Sequence, residues 1–125
     1  MRNPTVEDVK SWRLAAEQGD ADAQFMLGGA YYEGKGVTKD HAEAVKWYRK
    51  AADQGEADAQ IKLGVAYYFG QGVPQDYVEA HKWLNLSAAA GGTKAGELRD
   101  LVAEKMTPEQ VAEAQRLARE WKPKE

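Results

Sequence analysis

The sequence predicts an all-α solenoid of about seven antiparallel helices stacked as hairpins. Three observations lead there. The chain repeats itself at an interval of 36 residues, its apolar residues recur with helical spacing and never in a strand-like alternation, and turn glycines fall at the same place in each copy. Laid on itself by that interval, Ala15 to Lys50 falls on Ala51 to Leu86, matching among others Gln24/Gln60, Leu27/Leu63, Gly28/Gly64, Tyr31/Tyr67, Tyr32/Tyr68, Gly36/Gly72 and Trp47/Trp83. A fixed period of this size marks units that cannot each cover their own apolar face and therefore stack on one another.

The elements follow in order. Thr5 to Glu17 spaces Val9, Trp12, Arg13, Ala15 and Ala16 as the second helix of a hairpin whose first is missing, so residues 1–18 read as an N-terminal cap. The first repeat, 19–54, opens with Gly19 and the acidic Asp20 and Asp22, which suit a helix N-terminus. Leu27, Gly28 and Tyr31 mark the buried side of its first helix. Gly34 and Gly36 then end that helix, and Asp40 with Glu43 starts a second, on which Ala44, Trp47, Tyr48, Ala51 and Ala52 hold one face for two turns. The second repeat, 55–90, copies the plan with Gly70, Gly72, Pro74, Asp76 and Glu79. Gly28 and Gly64 lie in helix interiors, where each costs about 1 kcal/mol, so the hairpin helices are expected to approach too closely there for a Cβ, with Tyr48 and Trp47 over the gap. Residues 91–125 form a divergent C-terminal helix pair. Ala95, Leu98, Leu101 and Val102 lie on a first-type helix whose register slips by about one residue, and Thr107-Pro108-Glu109-Gln110 is a strong start signal for a last helix carrying Val111, Ala114, Leu117, Ala118 and Trp121. Both ends are expected to present polar faces.

Composition fits one soluble folded domain over residues 1–125. Hydrophobic residues make up 43% and charged residues 30%, far from disordered or membrane composition. The 17 basic and 20 acidic residues are interleaved, which speaks against a nucleic-acid or membrane surface. Absence of cysteine removes disulfides, thiolate metal sites and cysteine nucleophiles. No apolar run reaches the roughly 7 to 15 residues of a signal-peptide core. The chain reads as cytoplasmic as it stands, with the periplasm left open should a leader have been removed.

The motif Ala-x-Ala-Gln-x-x-Leu-Gly-x-x-Tyr-x-x-Gly-x-Gly-Val, followed by Asp, Ala, Trp and Ala-Ala-x-x-Gly, resembles the SEL-one-like repeat, a relative of the tetratricopeptide repeat with a longer hairpin loop. The resemblance is strong over Ala15 to Leu86. It implies a right-handed superhelix, bacterial in its common occurrence, that holds other proteins or peptides and acts as a scaffold without catalysis. A cysteine-rich branch linked to β-lactam binding is not implied, because this chain has no cysteine.

Little in the residues suggests chemistry. Ser11 and Ser87 are the only serines, His41 and His81 are expected to be half-exposed helix residues, and neither histidine has a second one at metal-ligand spacing. No catalytic residue, metal or cofactor is expected. The feature left for function is the side of each first helix turned away from its hairpin partner. There Phe25, Tyr32 and Glu33 of the first repeat and Ile61, Lys62, Val65, Tyr68 and Phe69 of the second would line a concave groove for a protein or peptide partner. Packing between neighbouring first helices is the competing use of these aromatics, and self-association into a homo-oligomer competes for the same surface; a small molecule in the groove is the third alternative. Relatives that clamp a C-terminal carboxylate use groove lysines and asparagines, and of the matching positions here only Lys62 could serve.

Overall fold

In a computed structural model describing residues 2–124, the chain forms seven α-helices, and no strand occurs among the described residues. They are α1 (Val6–Glu17), α2 (Ala21–Glu33), α3 (His41–Asp53), α4 (Ala57–Phe69), α5 (Tyr77–Ala89), α6 (Ala95–Ala103) and α7 (Pro108–Glu120). The helix starts carry the chemistry the sequence advertised. Asp20, Asp40 and Asp76 each accept a backbone N–H three residues on, and Glu56 accepts two. Thr107 and Gln110 close a full capping box, with bonds of 3.1 and 2.9 Å. Thr5 and Asp8 form another that the sequence reading passed over. Asp40 with Glu43 makes only half of one, since Glu43 does not reach back. Gly34 and Gly70 end α2 and α4 in the left-handed region at φ 71° and 70°.

Neighbouring helices pack as hairpins, α2 on α3 and α4 on α5, and the hairpins stack through α1 on α2, α3 on α4 and α5 on α6. The core sits between three helices at a time. Val9, Ala16, Ala23, Leu27, Ala30 and Trp47 form one buried cluster from α1, α2 and α3. One period on, Val45, Ala52, Ala59, Leu63, Ala66 and Trp83 are buried together from α3, α4 and α5. No hairpin closes a core alone. Each needs the second helix of the unit before it, which for the first hairpin is α1, and Trp47 accordingly faces α1 and α2 rather than covering Gly28 as expected.

Two glycines per repeat are structural necessities. A Cβ on Gly28 would lie 2.7 Å from the Tyr48 ring, and one on Gly64 would lie 2.9 Å from Leu84, so the close hairpin approach is real. Gly36 and Gly72 pack instead on the unit before: their Cβ atoms would meet the carbonyl oxygens of Thr5 at 2.6 Å and His41 at 2.4 Å. Polar joints recur too. Arg13 donates to the Tyr31 hydroxyl and Arg49 to that of Tyr67, each guanidinium lying over its partner's ring. Gln24 and Gln60 donate to the carbonyls of Ala16 and Ala52 at 3.1 and 3.2 Å. Tyr31 thus faces the preceding helix, not its own hairpin partner.

The last two helices depart from the expected pair. α6 keeps the 36-residue register, with Ala95 buried like Ala59 and Val102 like Ala66, so the expected slip is absent. α7 does not fold into a tight hairpin with α6; it turns back and packs on α5. Trp121 then meets Trp83 edge-on, with ring centroids 6.2 Å apart, and the extended tail brings the Lys124 N–H to the Asp53 carbonyl at 2.7 Å. Nor are the histidines alike. His81 is buried, because it occupies the position that Val9 and Val45 hold in the earlier units. The expected polar N-terminal face is also breached, since Val6 and Leu14 of α1 are 58% and 66% exposed.

Candidate functional site

The surface carried by α2, α4 and α6 holds two hollows, one on each side of Val65. The first, of about 100 Å³, lies between the first and second repeats and is lined by Tyr32, Val45, Tyr48, Ile61, Lys62, Val65, Ala66 and Gln71. The second, of about 160 Å³, lies between the second repeat and α6 and is lined by Val65, Tyr68, Phe69, Leu84, Leu98, Leu101 and Val102. They are the same site built twice. Tyr32, Tyr48, Lys62, Val65 and Ala66 of the first stand one period before Tyr68, Leu84, Leu98, Leu101 and Val102 of the second.

Equal backbones here carry unequal chemistry. Tyr48, Lys62 and Val65 give way to Leu84, Leu98 and Leu101, so the first hollow is amphiphilic and the second is lined by aliphatic and aromatic residues. Lys62 is exposed and has no carboxylate at ion-pairing distance among the described residues. Burial, with a smaller contribution from the Glu33 carboxylate, pushes the Tyr48 phenol well above its ordinary range, so it keeps its proton and stays a donor. The Tyr32 hydroxyl donates to Gln71 Oε1 at 3.0 Å, which ties α2 to the loop after α4 and leaves the Gln71 amide nitrogen as a further donor. The rim of the second hollow is Phe69, 63% exposed, and Leu101, 58% exposed.

Of the eight residues expected on a single groove, Tyr32, Ile61, Lys62 and Val65 line the first hollow, and Val65, Tyr68 and Phe69 the second. Phe25 does not line either; it is half-buried against the core, its ring 5.8 Å from that of Tyr48. Glu33 is turned to the loop and pairs with Lys35 at 3.1 Å. Much of the aromatic set is packing as well as lining. Tyr32 stacks on His41 at 4.8 Å, and Tyr68 packs edge-on to Phe69 at 4.9 Å and tilted against Tyr77 at 5.5 Å. Sequence reasoning missed the walls from the second-type helices, Val45, Tyr48 and Leu84, and the whole contribution of α6. The 36-residue register carried that signal, because Leu98, Leu101 and Val102 follow Lys62, Val65 and Ala66 without a slip.

Nothing in this arrangement resembles an active site. Among the described residues no three histidine, aspartate or glutamate side chains gather as metal ligands, and no helix is long and apolar enough to cross a membrane. Ser87 is buried and donates to the Ala57 carbonyl at 2.9 Å, a structural bond between α5 and α4.

Helical hairpins stacked at a 36-residue interval define a repeat protein. The chain belongs to the Sel1 repeat family, whose repeat matches residues 21–56 and 57–92, and members of that family generally serve as protein-interaction scaffolds. Among solved structures it is similar to a protective antigen present in uropathogenic Escherichia coli strains, which displays an SLR fold, with 39% identity and a TM-score of 0.90 over 93% of this chain. A Sel1 repeat protein from Oxalobacter formigenes is 40% identical with a TM-score of 0.78 over 80% of this chain. The chain spans 25% and 40% of the length of those two structures. No curated sequence matches it.

Proposed function

We propose that the chain is a non-enzymatic binding module that holds a peptide or helix of a partner protein across the two hollows of its concave face. The carrying observation is the second hollow, where Phe69 and Leu101 are exposed and Leu84, Leu98 and Val102 complete an apolar lining. An apolar anchor of the partner fits there. The first hollow, with donors from Lys62, Tyr48 and Gln71, suits a carbonyl or carboxylate on the same partner. Two or three anchors at ~1.5 to 3 kcal/mol each, set against association costs of ~4 to 15 kcal/mol, leave at most ~5 kcal/mol, so these anchors alone give a Kd of ~0.2 mM or weaker.

Peptides selected on the immobilised chain from a random library test this. Selected sequences should pair an aliphatic or aromatic residue with a carboxylate. Phe69→Ser and Leu101→Ser should each weaken their binding more than tenfold while far-ultraviolet circular dichroism stays unchanged. Binding indifferent to both substitutions would remove the concave-face reading.

A further inference from the structure

The three second-type helices α1, α3 and α5 share an outer stripe at every fourth residue, and its composition is informative. On α1 it reads Val6, Lys10, Leu14; on α3, Ala42, Lys46, Lys50; on α5, Val78, Lys82, Leu86. The outer two helices therefore carry the same three residues, and the middle one carries a small residue and an extra charge. Each stripe lysine pairs with a glutamate three residues before it: Lys10 with Glu7 at 3.5 Å, Lys46 with Glu43 at 3.8 Å and Lys82 with Glu79 at 3.4 Å.

These three ion pairs report how well each stripe is covered. Side-chain exposure is 69% and 81% for the α1 pair, 53% and 36% for the α3 pair, but 16% and 25% for the α5 pair. Val78 and Leu86 are likewise half-buried, whereas Ala42 and Lys50 are exposed. The hairpin and the following first-type helix surround α3 and α5 alike, so the additional cover on α5 comes from the one element that packs on α5 and has no counterpart on α3, which is α7. Val78-Lys82-Leu86 thus lies on the helix against which α7 docks, and Val6-Lys10-Leu14 is its duplicate on α1, where Val6 and Leu14 are exposed.

We propose that this α1 stripe is a second docking site, separate from the concave face, for a short amphipathic helix of another protein with the kind of stripe α7 presents: small and aliphatic residues such as Val111, Ala114, Leu117 and Ala118. The two anchor points, eight residues apart, lie ~12 Å from one another, so the guest helix meets them with apolar side chains two turns apart. The guest is not α7 of a second copy. On α5, α7 also gains the Trp121–Trp83 contact and the Lys124–Asp53 bonds. On α1, Ser11 stands where α5 has Trp83, so leaving α5 would forfeit an aromatic contact that α1 does not return.

A synthetic peptide of residues 107–124, titrated into the isotopically labelled intact chain and followed by amide chemical shifts, supplies the probe. Saturable shifts are expected at Val6, Lys10 and Leu14, weakened more than tenfold by Leu14→Glu, a change at an exposed position that leaves the fold in place. Lys50→Leu, which moves the α3 stripe toward that of its neighbours, should create new shifts on α3. Three outcomes overturn the proposal: no shifts at millimolar peptide, shifts confined to α5 and α7, or a concentration-dependent dimer of the chain alone that Leu14→Glu dissolves, which would make a second copy the guest.

Discussion

The first and second repeats are the same hairpin placed in different company. In the first, α3 packs on α2 and α4, and its outer residues Ala42, Lys46 and Lys50 are exposed; in the second, α5 packs on α4 and α6 and additionally on α7. Much of the core that the two units share does not change, as with Leu27/Leu63, Trp47/Trp83 and Gln24/Gln60. Residues that meet the changed neighbour do: Val45 becomes His81 and Lys50 becomes Leu86. Identity between units marks the shared interior, and divergence marks where a unit stops being one of a series.

The strongest way to break this symmetry is at the joint between units. Gly72→Ala places a Cβ 2.4 Å from the His41 carbonyl at φ 79°, and Gly19→Ala, at φ 98°, meets nothing within 4 Å. Backbone strain alone is ~1 to 3 kcal/mol, and collision with a fixed carbonyl adds about as much again. Urea unfolding should therefore show the Gly72 variant losing roughly 3 to 5 kcal/mol and the Gly19 variant about 1. Equal losses would mean that the glycines serve turn geometry only, and not the packing of one repeat on another.

A gain should come from repairing the second repeat. Gln54 donates to Gln24 Oε1 at 2.8 Å, closing a relay that runs on to the Ala16 carbonyl. Ala90 stands where that donor would be, and the buried Gln60 Oε1 has no partner. Ala90 and Gln54 have nearly the same backbone, φ −88° and −86°, so Ala90→Gln should complete the relay. About 1 kcal/mol of stabilisation is expected, a rise of ~3 to 6 °C in the thermal midpoint. An unchanged or lowered midpoint would show that Gln60 is satisfied another way.

The smallest effect separates Val45 from His81. Burial, assisted by the Arg99 guanidinium, lowers the His81 pKa below its ordinary 6.5. The unfolded chain then takes up a proton first as pH falls, so this residue subtracts stability progressively below pH 6.5 and leaves it untouched above. Between pH 7 and pH 5 the urea midpoint of the unaltered chain should fall further than that of His81→Val. Parallel pH profiles would dismiss the histidine as the cause.

Seven helices, their capping residues and the close approach at Gly28 and Gly64 were legible because they depend on local chemistry and on a period that repetition amplifies. The reading failed where a residue's role is set by what lies beyond its own unit. His81 looked like a helix-surface histidine, since nothing local shows that the position belongs to the core series of Val9 and Val45. Phe25 was assigned to the groove by helical angle alone, but the Tyr48 ring that draws it inward comes from the other helix of the hairpin. The site was half legible for the same reason: first-type helices gave Tyr32, Ile61, Lys62, Val65, Tyr68 and Phe69, and the supposed slip in α6 hid the other wall. The position of α7 could not be read, because its start signal and apolar stripe fit packing on α6 as well as on α5.

The arginine–tyrosine clasp between units ends in an inversion. Arg13 and Arg49 reach forward to a tyrosine on the next first-type helix, but the third member of that series is Asn85, which instead accepts from Arg99 at 2.9 Å. A hairpin spliced in after residue 92 would present a phenol to an amide, and the guanidinium that should hold it would be missing. Lengthening this array therefore requires rewriting its last joint before adding to it, much as a zipper must have its stop removed before more teeth can be attached.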